Sequence, residues 1–282
     1  MVGSDITRDA RGGAPDTGSL LDQALAPLRR RGLVWSLAKN DFRARYTGSL
    51  LGATWAFVQP VLTILLYLFI YQVGFRAPPP SGVPFVVWLI VGMAPWFYFV
   101  EALSTTTIAF LEYGFLVKKV LFDVAIVPSI KLVASSLVHV AVFGLVVVIV
   151  AVSGLPIRGT FLLVPYYFFA LYALVAGLGL ITAAIAPFFR DAVQIVAVSM
   201  QFLFWLTPVM WPISQAPPRF AQILVANPLH YVVDGLRDAL LLGRPFWARP
   251  LPTLYFWAFV IVVHLIGQAM FKRLRPHLPD VL

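Results

Sequence analysis

The sequence contains no cysteine, so no disulfide braces it and no thiol serves as nucleophile or metal ligand. Charge is scarce: 12% of the 282 residues are Asp, Glu, Lys or Arg. The four histidines (His139, His230, His264 and His277) lie far apart without metal-ligand spacing. Neither a G-x-S-x-G elbow nor an H-E-x-x-H pair occurs. No Gly-Lys pair exists either, so the G-x-x-x-x-G-K-[ST] loop that cradles nucleotide phosphates is missing. ATP hydrolysis is therefore not expected from this polypeptide alone, and no cofactor site is legible in it.

What the chain has is hydrocarbon. Sixty per cent of its residues are hydrophobic, the mean hydropathy is +0.87, and the apolar residues come in runs of membrane-crossing length. The composition implies an all-α integral membrane protein. Six spans are predicted, at roughly 50–75, 84–110, 125–152, 160–186, 192–212 and 251–271. The net charge of +9 would suggest nucleic acid in a soluble protein; here it follows from the excess of Lys and Arg in cytoplasmic loops, and no nucleic-acid partner is expected. Placing both termini in the cytoplasm puts 15 Lys and Arg residues inside, from Arg8 and Arg11 to Arg275, against 6 outside.

Residues 1–32 read as a polar cytoplasmic tail ending in Arg29, Arg30 and Arg31, with no apolar stretch that would serve as a signal peptide. Residues 33–47 turn helical, with Val34, Trp35, Ala38, Phe42 and Tyr46 on one side and Ser36, Lys39, Asn40 and Arg43 on the other. Such a helix suits the inner membrane interface. Residues 48–282 form the transmembrane domain.

Span one carries a ladder of Trp55, Gln59, Thr63, Tyr67 and Tyr71. Steps of four residues keep these side chains on one slowly rotating face, and unpaired polar groups are costly in hydrocarbon. The face therefore looks at protein, as a packing seam, or at a conduit. Span five offers a second stripe in Gln194, Gln201 and Trp205, at intervals of seven and four. Trp211, Trp247 and Trp257 fit interface anchors. Glu101 and Lys131 lie at similar depth on spans two and three, which predicts an ion pair or a hydrogen-bonded neutral acid. Ser135 and His139 continue the ladder from Lys131, as polar packing rather than a proton path.

Between spans five and six, residues 213–250 are broken by APP, NPLHY and GRPFWARP yet largely apolar from Phe220 to Leu242. Two short helices dipping into the outer leaflet fit this pattern, and an amphipathic surface loop is the alternative. Asp234 is spaced to pair with Arg237 or with a neighbour of Asp238, and the three form a candidate outer gate.

The strings DFRARYTGSLLGATWAFVQP (41–60), GMAPWFYF (92–99), FLVKKVLF (115–122), PFFRDAVQI (187–195), FLFWLTPVMW (202–211) and NPLHYVVDGLRD (227–238), in this order, resemble the ABC-2 permeases that export lipid-linked polysaccharides such as O-antigen and teichoic acid. The third string departs from the family habit of a Pro soon after the Lys, having Val120, Leu121 and Phe122 instead. The resemblance implies a homodimer with six spanning helices per subunit, an N-terminal amphipathic interfacial helix and outer re-entrant helices between spans five and six. It also implies two copies of a separate ABC ATPase, which would use ATP and Mg, and a location in the cytoplasmic (inner) membrane. In related exporters spans one and five border the conduit, which makes the two stripes a translocation pathway for a lipid-linked glycan. A polymer that must keep moving is served by many weak contacts, aromatic faces for C–H groups and polar side chains for hydroxyls. Glu112, Tyr113, Phe115, Lys118 and Lys119, in the turn between spans two and three, are the candidate docking residues for the ATPase. The rival readings are a permease for a smaller lipid or drug, a membrane glycosyl- or acyltransferase, which should show clustered carboxylates or His at one interface, and an ion-coupled transporter, which should carry more ionisable groups within the membrane.

Overall fold

The computed structural model describes residues 20–48, 51–74, 82–117 and 123–282. Among these, regular structure is helical, with no strand. Five helical stretches are long and apolar enough to cross a bilayer: Trp55–Gly74, Phe85–Thr107, Val124–Val152, Gly159–Ile185 and Pro250–Val281. They correspond to predicted spans one to four and six, the last running on past its expected end. Predicted span five is shorter, a helix of 16 residues at Asp191–Leu206. It ends where Thr207 takes an extended backbone, as a residue preceding proline tends to do.

In chain order the helices are α1 (Leu20–Arg29), α2 (Arg31–Tyr46), α3 (Trp55–Leu68, prolonged by a wider π turn to Gly74), α4 (Phe85–Thr107), the short α5 (Ala109–Glu112) and α6 (Gly114–Val117), α7 (Val127–Val152), α8 (Val164–Ile185), α9 (Asp191–Leu206), α10 (Pro218–Val225), α11 (Pro228–Arg237), α12 (Pro250–Leu274) and α13 (Leu278–Val281). Six of them begin with a proline in the first turn, where the missing N–H costs nothing.

α4 is the most buried span and the centre of the bundle, packing on α7, α8 and α11. Its Tyr98 is fully buried, and the phenol is satisfied by the Ser136 hydroxyl of α7 at 2.9 Å. α8 and α12 approach closely because small residues face each other: a Cβ on Gly267 would sit 3.2 Å from the Gly177 carbonyl oxygen. A second core lies at the α2 end of the bundle, where Phe110 and Phe271 stack at 5.7 Å and Ala26, Val34, Ala38 and Leu278 are buried. By contrast α3 buries none of its residues and packs mainly on α4.

The N-terminal reading needs two corrections. Residues 20–29 of the expected tail are helical, and Ala26 of α1 packs into the second core beside Val124 and Phe271, with Arg30 reaching Asp123 at 3.4 Å. The expected 33–47 helix begins two residues earlier, and its buried stripe is Val34, Ala38 and Asp41, set against α7, while Trp35 stays exposed beneath the Lys39 ammonium. A charged residue sits on the buried face because partners on other helices neutralise it. Arg8 and Arg11 lie outside the described residues.

Candidate functional site

The polar stripes of α3 and α9 meet across a face of α4. Thr63 and Tyr67 from α3, Met93, Trp96, Phe97, Val100 and Ser104 from α4, and Ala197, Met200, Gln201, Phe204 and Trp205 from α9 line one open cleft of about 550 Å³. Its aromatic wall is continuous: Tyr67 stacks on Phe204 at 5.7 Å, Phe204 meets Trp96 at 5.0 Å, and Trp205 stands edge-on to Phe204 at 5.4 Å. The Thr63 hydroxyl donates to the Gln59 carbonyl at 2.9 Å, beside Pro60, whose ring supplies no N–H to the helix.

Four of the eight expected pathway residues are thus brought together: Thr63, Tyr67, Gln201 and Trp205. Trp55, Gln59 and Gln194 are exposed away from the cleft, and Tyr71 stacks on Phe85 at 5.6 Å beyond it. Sequence reading missed the α4 wall. Its signal was present, since Met93, Trp96, Phe97, Val100 and Ser104 follow helical spacing, but the apolar run from Phe85 to Val100 gives no contrast between faces.

At the α2 end the charges form a network that differs from the expected pairing. Glu101 does not pair with Lys131. It accepts from Arg45 Nη1 at 2.7 Å and lies 3.8 Å from His139 Nδ1, while Arg45 also reaches Asp41 at 3.2 Å. Lys131 is buried and donates to Asp41 at 2.5 Å and to Glu112. Asp41 is the node, accepting from Lys131, Arg45 and the Tyr113 hydroxyl, the last at 3.1 Å. Each buried charge has an opposite neighbour, which offsets the cost of removing it from water. Glu112 and Tyr113, expected to face a docking partner, therefore turn toward this network, and Phe115 is the exposed aromatic of the turn. Lys118 and Lys119 lie outside the described residues.

At the other end Asp234 does not pair with Arg237. Arg249, from the start of α12, binds Asp234 at 2.5 Å and Asp238 at 2.9 Å. The Arg237 guanidinium is instead buried 3.4 Å above the Trp88 ring, donating to the backbone carbonyls of Pro208, at 2.8 Å, and Val209. Gly92 makes the room: a Cβ there would lie 2.1 Å from Arg237 Nη2. Arg237 thus ties α11 to α4 and to the end of α9. Burial raises the Asp238 carboxyl to about 6, with Asp234 adding to the rise and Arg249 opposing it. Burial also holds His230 below the ordinary histidine value, with Asp234 opposing the shift.

Comparison with known proteins agrees with this architecture. The family model described as ABC-2 type transporter matches residues 32–241. Over 247 residues the chain is 30% identical to the O-antigen export system permease protein RfbA of Myxococcus xanthus and 24% identical to that of Klebsiella pneumoniae, in each case 87% of this chain and 93% of the relative. It is 26% identical over 245 residues to the polysialic acid transport protein KpsM of Escherichia coli, covering 85% of this chain and 92% of the relative. With the family model spanning most of the chain and relatives aligned over nearly their whole length, this multi-pass membrane protein belongs to the ABC-2 type transporter family.

Proposed function

We propose that the chain is the transmembrane permease subunit of an ATP-driven exporter that moves a polyprenyl-linked polysaccharide across the cytoplasmic membrane. The observation that carries this reading is the cleft in which Thr63, Tyr67, Gln201 and Trp205 share one surface with Trp96. Aromatic faces and amide or hydroxyl groups together suit sugar rings, and the relatives are named for O-antigen export and polysialic acid transport. The cleft is open on one side, and α3 buries nothing within its own subunit. A second copy of the chain laid against α3 and α9 would close the two clefts into one conduit.

In this reading the α2 end is cytoplasmic, in line with the 15 to 6 distribution of Lys and Arg. α9 is the fifth of six spans, about 24 Å long at 1.5 Å per residue and completed by the turn that follows. α10 and α11, of 8 and 10 residues, are too short to cross and dip into the outer leaflet. Two ATPase subunits supply nucleotide chemistry with Mg and dock at the turn that includes Phe115, Lys118 and Lys119. Closure of the ATPases would reach the spans through Glu112 and Tyr113, which touch Lys131 and Asp41.

The test is co-purification with an ATPase bearing Walker motifs, together with export of a labelled lipid-linked polymer from cells lacking the native permease. Restored export that depends on that ATPase is the expected result. Export of a small lipid or drug without export of polymer would refute the substrate assignment.

A further inference from the structure

A second hollow, larger than the cleft, lies at the α11 end between α10, α11 and the first turns of α12 and measures about 770 Å³. It shares no lining residue with the cleft. Its size, and a mainly apolar wall set with a few polar side chains, are those of a small-molecule site.

Charge on this wall is balanced. Arg249 lies between Asp234, at 2.5 Å, and Asp238, at 2.9 Å, and Arg244 also acts on Asp238. The Arg237 guanidinium is turned away into the carbonyls of Pro208 and Val209. A cation therefore finds no surplus of negative charge, and an anion meets two carboxylates. The Asp234 and Arg249 side chains are 30% and 40% exposed, and Gln222 of α10, on the same wall, is exposed as well. They offer an acceptor, a donor and an amide that does both. Hydroxyl groups, which also donate and accept, match such a set.

The rings of the wall are fixed in advance. Tyr255 is 45% exposed, yet its hydroxyl donates to the Ala226 carbonyl at 2.6 Å, which holds the ring in place. Tyr231 stacks on Phe256 at 4.6 Å, and its hydroxyl bonds those of Tyr166, at 2.7 Å, and Thr253, at 3.1 Å. Phe246 stacks on Tyr166 at 4.1 Å. Binding then orders few side chains, which lowers its entropic cost. A hydrocarbon chain would cover these rings but strip water from Gln222, Asp234 and Arg249 without replacing its hydrogen bonds. A sugar ring, with an apolar C–H face and a rim of hydroxyls, uses both parts of the wall.

We infer that this hollow binds an uncharged saccharide unit, with the C–H face of its ring on Tyr255 and its hydroxyls on Gln222, Asp234 and Arg249. The inference deepens the glycan-export reading and rests on it for the source of the sugar. In the orientation proposed above the hollow lies on the outer side, where an exported polymer emerges.

The experiment exploits the lack of cysteine. Leu251→Cys places one thiol on the wall of the hollow, at a position 77% exposed, in the full chain purified in mild detergent. The rate of its reaction with a maleimide is measured against rising millimolar concentrations of maltotriose, mannotriose and galactotriose. At least one trisaccharide should slow the reaction in a saturable way. Adding Tyr255→Ala should raise the concentration required about fivefold, for the loss of one stacking contact, and Tyr255→Phe, which restores the ring, should recover it. Thermal melting checks the fold. If Tyr255→Ala does not fold, Gln222→Ala, at an exposed position, decides with a similar expected shift. Protection by none of the three sugars, or protection unchanged in the deciding folded variant, would overturn the assignment. So would protection by a short-chain phospholipid that the trisaccharides do not displace. Protection that survives Tyr67→Ala with Trp205→Ala places the sugar in the hollow, and its loss would place the sugar in the cleft and overturn the assignment. A chain that shows the expected protection but exports no polymer would refute the export reading and leave this site standing.

Discussion

Asp41 of α2 and Lys131 of α7 form an ion pair at 2.5 Å across ninety residues of sequence, and neither side chain is more than slightly exposed. The pair holds a helix that precedes the first span against the third. Since Lys131 also contacts Glu112 in the turn after α4, three separate elements converge on one ammonium. Movement of that turn cannot leave α2 unaffected.

Asp41→Asn leaves the half-exposed Glu112 as the carboxylate partner of the buried Lys131, and Glu101 as that of Arg45. Breaking one partner of a buried pair should cost about 3 kcal/mol, read as a lower melting midpoint and a smaller yield of folded protein. Asp41→Asn combined with Lys131→Met removes the stranded charge and should restore much of the loss. A double variant no more stable than the single one would mean that Lys131 does not depend on Asp41.

Gly92→Ala tests the seat of Arg237. A methyl group 2.1 Å from Nη2 and 3.0 Å from the Val209 carbonyl oxygen must push the guanidinium or the end of α9 aside, at a cost of about 1–3 kcal/mol. Gly144→Ala in α7 is the control: a Cβ there meets nothing within 4 Å, so it should be neutral or slightly stabilising. Equal melting midpoints for the two variants would show that Arg237 has another place to go.

Tyr67→Ala and Trp205→Ala, separately and together, test the cleft. Each aromatic contact with a moving glycan is worth about 1 kcal/mol, so each variant should reduce export several-fold while assembly with the ATPase stays intact. Export is measured as labelled polymer per amount of intact complex. Parental rates in the double variant would return these side chains to helix packing and leave the conduit unlocated.

Asp238 predicts a pH dependence. Its carboxyl is raised from 3.8 to about 6 by burial, so the fold favours the protonated form. The stability this group contributes is complete below its unfolded value and is lost as pH rises through the folded value, from about pH 4 to about pH 7. Asp238→Asn should therefore flatten the fall of the melting midpoint over that interval. Identical slopes in parent and variant would show that Arg249 holds the carboxylate ionised throughout.

Much of this was legible in the sequence. Four spans ended close to where their hydropathy predicted, and the stripes that hold Thr63 with Tyr67 and Gln201 with Trp205 were read from spacing, while the family resemblance set the two stripes side by side. Trp96 escaped because α4 is apolar all round as far as Val100, and its periodicity there carries no contrast. The helix at Leu20–Arg29 escaped because its burial rests on Phe271 and Val124, far along the chain. Both ion-pair expectations failed for one reason: depth and spacing placed Glu101 near Lys131 and Asp234 near Arg237, whereas the actual partners, Arg45, Asp41 and Arg249, come from helices whose positions no local pattern specifies.

The sequence by itself determined the membrane class, the spans and the faces that carry polar groups, because crossing a bilayer is a local matter of length and hydropathy. Tertiary structure alone decided which charge meets which and which faces share a cleft. A buried ion takes whatever opposite charge the packing brings within hydrogen-bond reach, and that choice depends on how helices tens of residues apart are set against one another.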